Sequence, residues 1–338
     1  MDFVKYHKIG QFKEVVKSVQ NKANFKGLDE EGNPIYEDSL KPTITFKGTI
    51  KLHGTNAGIC YSPEEGLFAQ KRSSLLQKDH LQAHFGFNEY VQVTQKDNIL
   101  QLVNSLYSQY CKEGEQIILY GEWAGQGIQK GVSISELPKS FYLFDCKVYN
   151  KNEDSHKWLD VSSFDKIDIP NFYNIFDFIN FKMDIDFNQP QYHQNDLINY
   201  TNDVEKLCPV AAMFKSLGTG EGIVWTGLLD DRKLIFKVKG EKHSVSKVKT
   251  LASVDPEVLK NVEAFVEYAC TPNRIEQGIQ ETSSETKKDT PKLLKWVAND
   301  IISEEQLELK SNNLEWKQVA KDCNNRVKEY FFNKIDKF

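Results

Sequence analysis

The stretch Gly48-Thr49-Ile50-Lys51-Leu52-His53-Gly54-Thr55-Asn56-Ala57-Gly58 decides how this chain is read: it is a strand that breaks into a tight turn at a lysine. A β-branched run, Thr43-Ile44-Thr45-Phe46, leads into it. Glycines follow where the backbone must turn or let a ligand come close. Taken alone, Lys51-X-X-Gly54 is a solvated strand-end lysine in a hairpin, since four-residue patterns recur by accident.

Its company downstream changes that reading. Lys71-Arg72-Ser73, Tyr120-Gly121-Glu122-Trp123-Ala124-Gly125, Phe141-Tyr142-Leu143-Phe144-Asp145, Glu221-Gly222-Ile223-Val224 and Phe236-Lys237-Val238-Lys239-Gly240 each lie on or at the end of a strand-like run. Ala57–Tyr61 and Gly66–Gln70 straddle the turn Ser62-Pro63-Glu64-Glu65, a hairpin that delivers Lys71 and Arg72. Apolar residues at helical spacing between Asn88 and Cys111 predict a long amphipathic helix, or a pair, covering the sheet. Gln116–Glu122 is an apolar strand ending in an acid, and an acid there faces solvent or a site. The polar stretch Gly125-Gln126-Gly127-Ile128-Gln129-Lys130 suits a loop bordering a pocket; its Gly-X-Gly is too short to be a phosphate-binding fingerprint. Period two places Lys237 and Lys239 on one strand face, opposite Phe236 and Val238. Two such lysines suit phosphate binding or an exposed edge.

Upstream, residues 1–42 read as a lead-in packing against the domain that follows, too short to be an independent one. Residues 150–209 are irregular and carry no recognisable chemistry; the aromatics of Phe172–Ile179 read as core. Beyond Thr250 the period changes to 3.6. Asp255-Pro256-Glu257 forms a helix start, and Leu259, Val262, Phe265, Val266 and Ala269 make one apolar stripe. A polar break at Glu281–Thr290 precedes helical runs at Pro291–Ile302 and Trp316–Phe332.

The 338 residues can hold one large and one smaller domain, and 40% hydrophobic with 27% charged residues describes an ordinary globular protein. A net charge of −5 excludes indiscriminate coating of nucleic acid. Any polyanion site must be local, and Arg232, Lys233, Lys237, Lys239, Lys242, Lys247 and Lys249 against Glu241 supply such a patch, or else a lysine-rich edge strand. Six cysteines without a Cys-X-X-Cys pair indicate neither zinc nor a disulfide framework, so reduced cytoplasm, or a host's cytoplasm for a viral protein, is the expected compartment. No signal peptide or membrane span is expected.

In order and spacing, the runs from Lys51 to Lys239 resemble the nucleotidyltransferase motifs of covalent nucleotidyl-lysine enzymes. The variety is that of ATP-dependent RNA ligases, and the family that of the second RNA ligase of bacteriophage T4, which includes the kinetoplastid RNA-editing ligases. The resemblance implies an α+β fold: an ATP-grasp-like nucleotidyltransferase domain of antiparallel sheets flanked by helices over residues 1–250, and a small all-α domain over 251–338. It implies sealing of 3′-hydroxyl and 5′-phosphate RNA ends through lysyl-AMP and RNA-adenylate, at nicks in duplex RNA or an RNA/DNA hybrid, in RNA repair. ATP and Mg²⁺ are the implied cofactors, with Mn²⁺ able to substitute, and a monomer is expected. A DNA ligase, a capping-type guanylyltransferase and a non-catalytic RNA-end-binding protein are the alternatives.

Carried over residue by residue, Lys51 is the nucleophile, and His53 acts on a phosphate or the leaving group. Glu221 serves the metal or triphosphate, Glu122 the ribose hydroxyls and the metal, and Phe144 stacks on the purine. Asn56 and Arg72 fix sugar and phosphate, while Lys237 and Lys239 bind the phosphates and take part in catalysis. A nucleophilic lysine must be neutral, and Lys237, Lys239 and Mg²⁺ are the cations expected to depress its pKa. Thr271-Pro272-Asn273-Arg274-Ile275 resembles a basic helix segment of the phage enzyme's C-terminal domain, which engages nucleic acid. There are departures: Ile50 stands where the family has an acid, and Gly240-Glu241-Lys242-His243-Ser244 differs from the phage version. An N-terminal oligonucleotide-binding barrel is not seen, and the helical pattern after Thr250 leaves no room for the β-barrel of DNA ligases and capping enzymes.

Overall fold

The structure, a computed structural model, describes residues 1–230, 232–243, 262–312 and 314–335. The helix start at Asp255, Leu259, Lys247, Lys249, Ser244 and the 250/251 boundary lie outside the described residues.

In chain order the strands are β1 (Phe25–Leu28), β2 (Pro34–Tyr36), β3 (Thr43–Lys51), β4 (Thr55–Ser62), β5 (Gly66–Lys71), β6 (Ser74–Leu75), β7 (Glu115–Ala124), β8 (Ser140–Asn150), β9 (Ser155–Leu159), β10 (Phe172–Asn174), β11 (Asn180–Asp186), β12 (Gly222–Leu229) and β13 (Arg232–Lys239). They form a hairpin β1-β2, a sheet ordered β10-β8-β7-β4-β5-β6 with β9 also on β8, and a sheet ordered β11-β3-β12-β13. Apart from the parallel pair β10 and β8, the registered pairs are antiparallel. The architecture is thus α+β. The chain divides into two compact units, residues 1–9, 45–184 and 201–237, and residues 10–44, 185–200 and 238–338.

In the first unit, strand alternation gives the large sheet two different faces. Ala57, Ile59, Ile117, Leu119, Phe141 and Leu143 point toward Phe87, Val91, Ile99 and Val103 of the segment Phe87–Tyr110, and all are buried. Fully burying such side chains stabilises by about 1.5–3 kcal/mol each, which is why the apolar helical period between Asn88 and Cys111 had to meet a sheet. That segment is a short helix, a π-helical turn at Tyr90–Thr94 and the helix Lys96–Tyr110. The opposite face presents Cys60, Ile118 and Tyr120, which pack with Tyr6 and with Ile235 of β13.

Residues 1–7 cross that second face, held by side chains that satisfy their backbone. Gln116 pairs with the amide and carbonyl of Asp2, and Gln70 Nε2 and Tyr120 OH both donate to the Val4 carbonyl. An extended segment without a neighbouring strand needs such partners when buried. The aromatics of Phe172–Phe178 are core, as expected: Phe172 meets Phe141 at 5.0 Å and is almost fully buried.

In the second unit the helices Phe12–Asn24, Val262–Ala269, Pro272–Thr282, Thr290–Glu304, Gln306–Ser311 and Trp316–Ile335 accompany the β1-β2 hairpin. Phe265, Leu293, Val297, Ile301, Val319 and Phe331 build the core of its C-terminal helices, so the 3.6-residue period of the sequence is real packing. Thr271 caps the second of these helices, with Pro272 in its first turn. Arg274 corrects the sequence reading. It is fully buried, with Nε donating to Asp300 at 2.9 Å, Nη2 to Glu305 at 2.7 Å and Nη1 to the Ala269 carbonyl at 2.6 Å. A guanidinium so committed ties helices together rather than meeting a polyanion.

Candidate active site

Strand register assembles the site. On β12, Gly222 pairs with Lys51 of β3, which sets Glu221 beside the lysine. On the large sheet Asn56 pairs with Glu122, Glu122 with Tyr142, and Ala57 with Lys71, the neighbour of Arg72. Asn56 and Glu122 share the face of Cys60 and Tyr120, because both strands alternate without interruption there.

Lys51 Nζ donates to Glu221 Oε2 at 2.8 Å, and His53 Nδ1 lies 3.3 Å from the same oxygen. Glu221 is almost fully buried, the Lys51 and His53 side chains largely so. Glu122 Oε1 accepts the amide of Gly54 at 3.0 Å. The turn leaves no room for a side chain at Gly54, where an added Cβ would meet the Trp123 carbonyl oxygen at 2.4 Å.

The electrostatics overturn one expectation. Burial works to lower the pKa of Lys51, and so does Arg72, but the attraction of Glu221 and Glu122 and the hydrogen bond to Glu221 outweigh them, and the net direction is upward. The protein's own groups therefore hold this amine charged. The depressed pKa foreseen from neighbouring cations is not a property of the chain by itself.

Phe144 owes its position to a β-bulge. Tyr120 pairs with Asp145 but Gly121 with Leu143, so Phe144 is the extra residue of β8. Before it Phe141 and Leu143 face the helices; after it Cys146 and Val148 do. Phe144 and Asp145 are thereby both released toward the other face, where Phe144 meets Tyr6 edge-on at 5.1 Å and Asp145 accepts from Tyr6 OH at 3.0 Å.

Arg72 is exposed just past β5. Lys237 and Lys239 are half-buried on β13; by parity Lys237 shares the face of Ile235, which packs on Tyr6 and Tyr120. Lys239 falls in the second unit. Of the basic run that contains them, Lys233 bonds Asp145, so it is an internal ion pair and not a surface cation.

Two side chains that the sequence reading left without a role, Gln129 and His84, lie beside the lysine turn. Gln129 is 8% exposed; its Nε2 donates weakly to the Gly54 carbonyl at 3.4 Å, and its Oε1 is buried without a partner. Asn56 Oδ1 is likewise buried without one. Two buried acceptors near the lysine turn therefore have no donor among the described residues. His84 Nε2 donates to the Asn56 carbonyl at 3.0 Å, and His84, Phe85 and Gly86 all have positive φ, at 56, 58 and 82°. Backbone conformations of this kind are not legible in a sequence.

No group of three or more His, Cys, Asp or Glu side chains among the described residues could cage a metal. The donor set, Glu221 with Glu122 nearby, fits a cation such as Mg²⁺ that keeps waters and shares phosphate oxygens. No described helix is long and apolar enough to cross a membrane.

Several solved structures resemble the fold. A Naegleria gruberi RNA ligase with PPi is 14% identical with a TM-score of 0.41, and point mutants of that ligase with AMP and Mn and with ATP and Mn are 13% identical with TM-scores of 0.42 and 0.40. Each match covers 70% of this chain and 56% of the other, so the chain spans little more than half the length of those proteins. No curated protein matches the chain significantly. A family model for RNA ligases matches residues 45–239, which is more than half of the chain and includes Lys51, Glu122 and Glu221, and the protein belongs to that family.

Proposed function

We propose that the protein is an ATP-dependent RNA ligase of the T4 RNA ligase 2-like branch, which seals 3′-hydroxyl and 5′-phosphate ends in nicked duplexes as a cytoplasmic monomer. The observation that carries this reading is the convergence of Lys51, His53 and Glu221 on one carboxylate oxygen inside the span matched by the family.

In this reading Lys51 Nζ attacks the α-phosphorus of ATP, an N–P bond forms, the bond to the bridging oxygen breaks, and pyrophosphate leaves. The lysine must first lose a proton. Glu221 would hold the divalent cation, which supplies positive charge for the triphosphate. With Glu221 so engaged, burial and Arg72 favour the neutral amine, opposed by Glu122 alone among the influences named above. His53 then faces the phosphates or the leaving group, and Lys237 and Lys239 offset phosphate charge. Phe144 stacks on the adenine. The orphan acceptors of Asn56 and Gln129, with the second oxygen of Glu122, receive ribose hydroxyls. The AMP passes to the 5′-phosphate of an RNA end, and attack by the 3′-hydroxyl releases it.

The test is incubation with a divalent cation and α-labelled ATP or GTP, followed by denaturation, with Lys51→Ala as control. ATP-derived label that survives in the parent and is lost in the variant supports the reading. GTP labelling would point to capping chemistry, and no label to a binding protein. Nicked RNA and DNA strands then define the preferred substrate.

A further inference from the structure

Residues 150–209 offered no chemistry as sequence, yet β9 carries Trp158 into a charged setting. Lys147 and Trp158 are cross-strand partners on β8 and β9, and Lys147 Nζ lies 4.3 Å from the indole centroid. Lys233 Nζ lies 4.6 Å from the same centroid. Two ammonium groups thus share one ring, and the carboxylate between them, Asp145, bonds Lys233 and Tyr6.

Lys147 is left over. Its residue is 6% exposed, and among the described residues it makes no hydrogen bond or ion pair, only the contacts with Trp158 and Tyr120. Burial, joined by Lys233, outweighs the attraction of Asp145, which does not bond Lys147, and lowers the pKa of Lys147, a cost that an indole face offsets only in part. His7, edge-on to Trp158 at 5.3 Å, reports the local field: burial first, then Lys233, Lys147 and His156, lower its pKa to about 4. The place is electropositive and remote from the lysine turn. Ile118, the partner of Lys147 across β7 and β8, is four residues before Glu122 on β7, about 13 Å at ~3.3 Å per residue.

We infer that Lys147, backed by Trp158, is a phosphate subsite for the polynucleotide strand, bound apart from the lysine turn. This rests on the RNA-ligase reading for its ligand, not for its charge. Lys233 is spent on Asp145, so Lys147 is the cation on offer, and a phosphodiester oxygen is the acceptor that its ammonium lacks. The competing source of the same chemistry is a free polyphosphate.

The experiment compares the full chain with Lys147→Met, which keeps the stem over the indole, and with Lys147→Arg, which keeps the charge. Nicked RNA binding is measured against salt, tripolyphosphate binding by calorimetry, and label transfer from ATP in parallel. The expected result is an unchanged lysyl-AMP yield in all three proteins. In Lys147→Met the slope of log K against log salt falls by about 0.7–0.9, the loss of one phosphate contact, while Lys147→Arg keeps the parent slope. An unchanged slope in a folded Lys147→Met overturns the subsite. A loss of tripolyphosphate binding with the RNA slope intact overturns the strand in favour of the free anion. If the parent takes no label but the slope still falls, the ligase reading fails and the subsite stands.

Discussion

The amide of Gly54 donates to Glu122 Oε1 at 3.0 Å, so the turn that carries the lysine is fastened to β7 by the same carboxylate to which the proposal gives a ligand. The two duties separate by substitution. Glu122→Gln keeps an acceptor for the amide and should cost under about 1 kcal/mol of stability, whereas Glu122→Ala leaves that amide unmet and should cost about 1–3 kcal/mol. Both should lose labelling by ATP at least tenfold. Chemical denaturation alongside the labelling assay checks the separation.

Lys51 and Glu221 stabilise each other in the absence of nucleotide. Removing one member of a buried pair costs about 3–5 kcal/mol, because the other charge stays behind. Lys51→Met should therefore be markedly less stable than the double variant Lys51→Met/Glu221→Gln, and a double-mutant cycle measures the difference. The sign with pH follows from the raised folded pKa of Lys51. Its contribution is fully present below the ordinary lysine value of ~10.4 and is lost as pH rises through the raised one. The gap between parent and Lys51→Met should stay level near neutrality and close in strong alkali.

Gln129 should behave in the opposite way. Its buried Oε1 has no protein partner, so Gln129→Ala should change stability by less than about 1 kcal/mol, or even add to it. Activity should nevertheless fall tenfold or more if, as proposed, the acceptor receives a ribose hydroxyl. Thermal unfolding and sealing of a nicked duplex, measured on the same preparation, decide this.

Arg274→Ala should destabilise the helical C-terminal part by about 3–5 kcal/mol, since Asp300 and Glu305 would lose their cation in the interior. Arg274→Lys should rescue little, because an ammonium cannot serve both carboxylates and the Ala269 carbonyl with a planar fork. RNA affinity of the protein still folded should be unchanged, which separates packing from contact with nucleic acid.

Much of the site was legible because its residues sit where periodic patterns stop. Lys51 ends β3, Glu122 lies near the end of β7 and Glu221 immediately precedes β12, and a charge beside an apolar run announces itself. Phe144 was legible as a motif residue but not as a bulge, since an extra residue in a strand leaves the composition unchanged. Arg274 and Lys233 were misleading for one reason: a basic residue does not say in sequence whether a carboxylate awaits it in the interior. Gln129 fell within a stretch read as a pocket-bordering loop but received no role of its own, since a lone amide in a glycine-rich loop carries no pattern; only burial without a partner marks it. The helical tail was clear from its period, while the splitting of residues 1–42 between two units depends on contacts far apart in sequence.

The supernumerary residue of β8 acts as a phase shifter. Upstream of position 144 odd-numbered side chains look one way, and downstream the even-numbered ones do. Pairing the same residues in plain alternation, with no bulge, would invert everything beyond it, sending the acid of 145 and the cation of 147 into the hydrocarbon beneath the helices and turning Cys146 and Val148 outward. Losing residue 144 alone would leave those later side chains on their present faces. The placing of Phe144 beside Asp145 on one face, and with it the position of Lys147 next to Trp158, thus hangs on a single skipped beat in the pairing with β7.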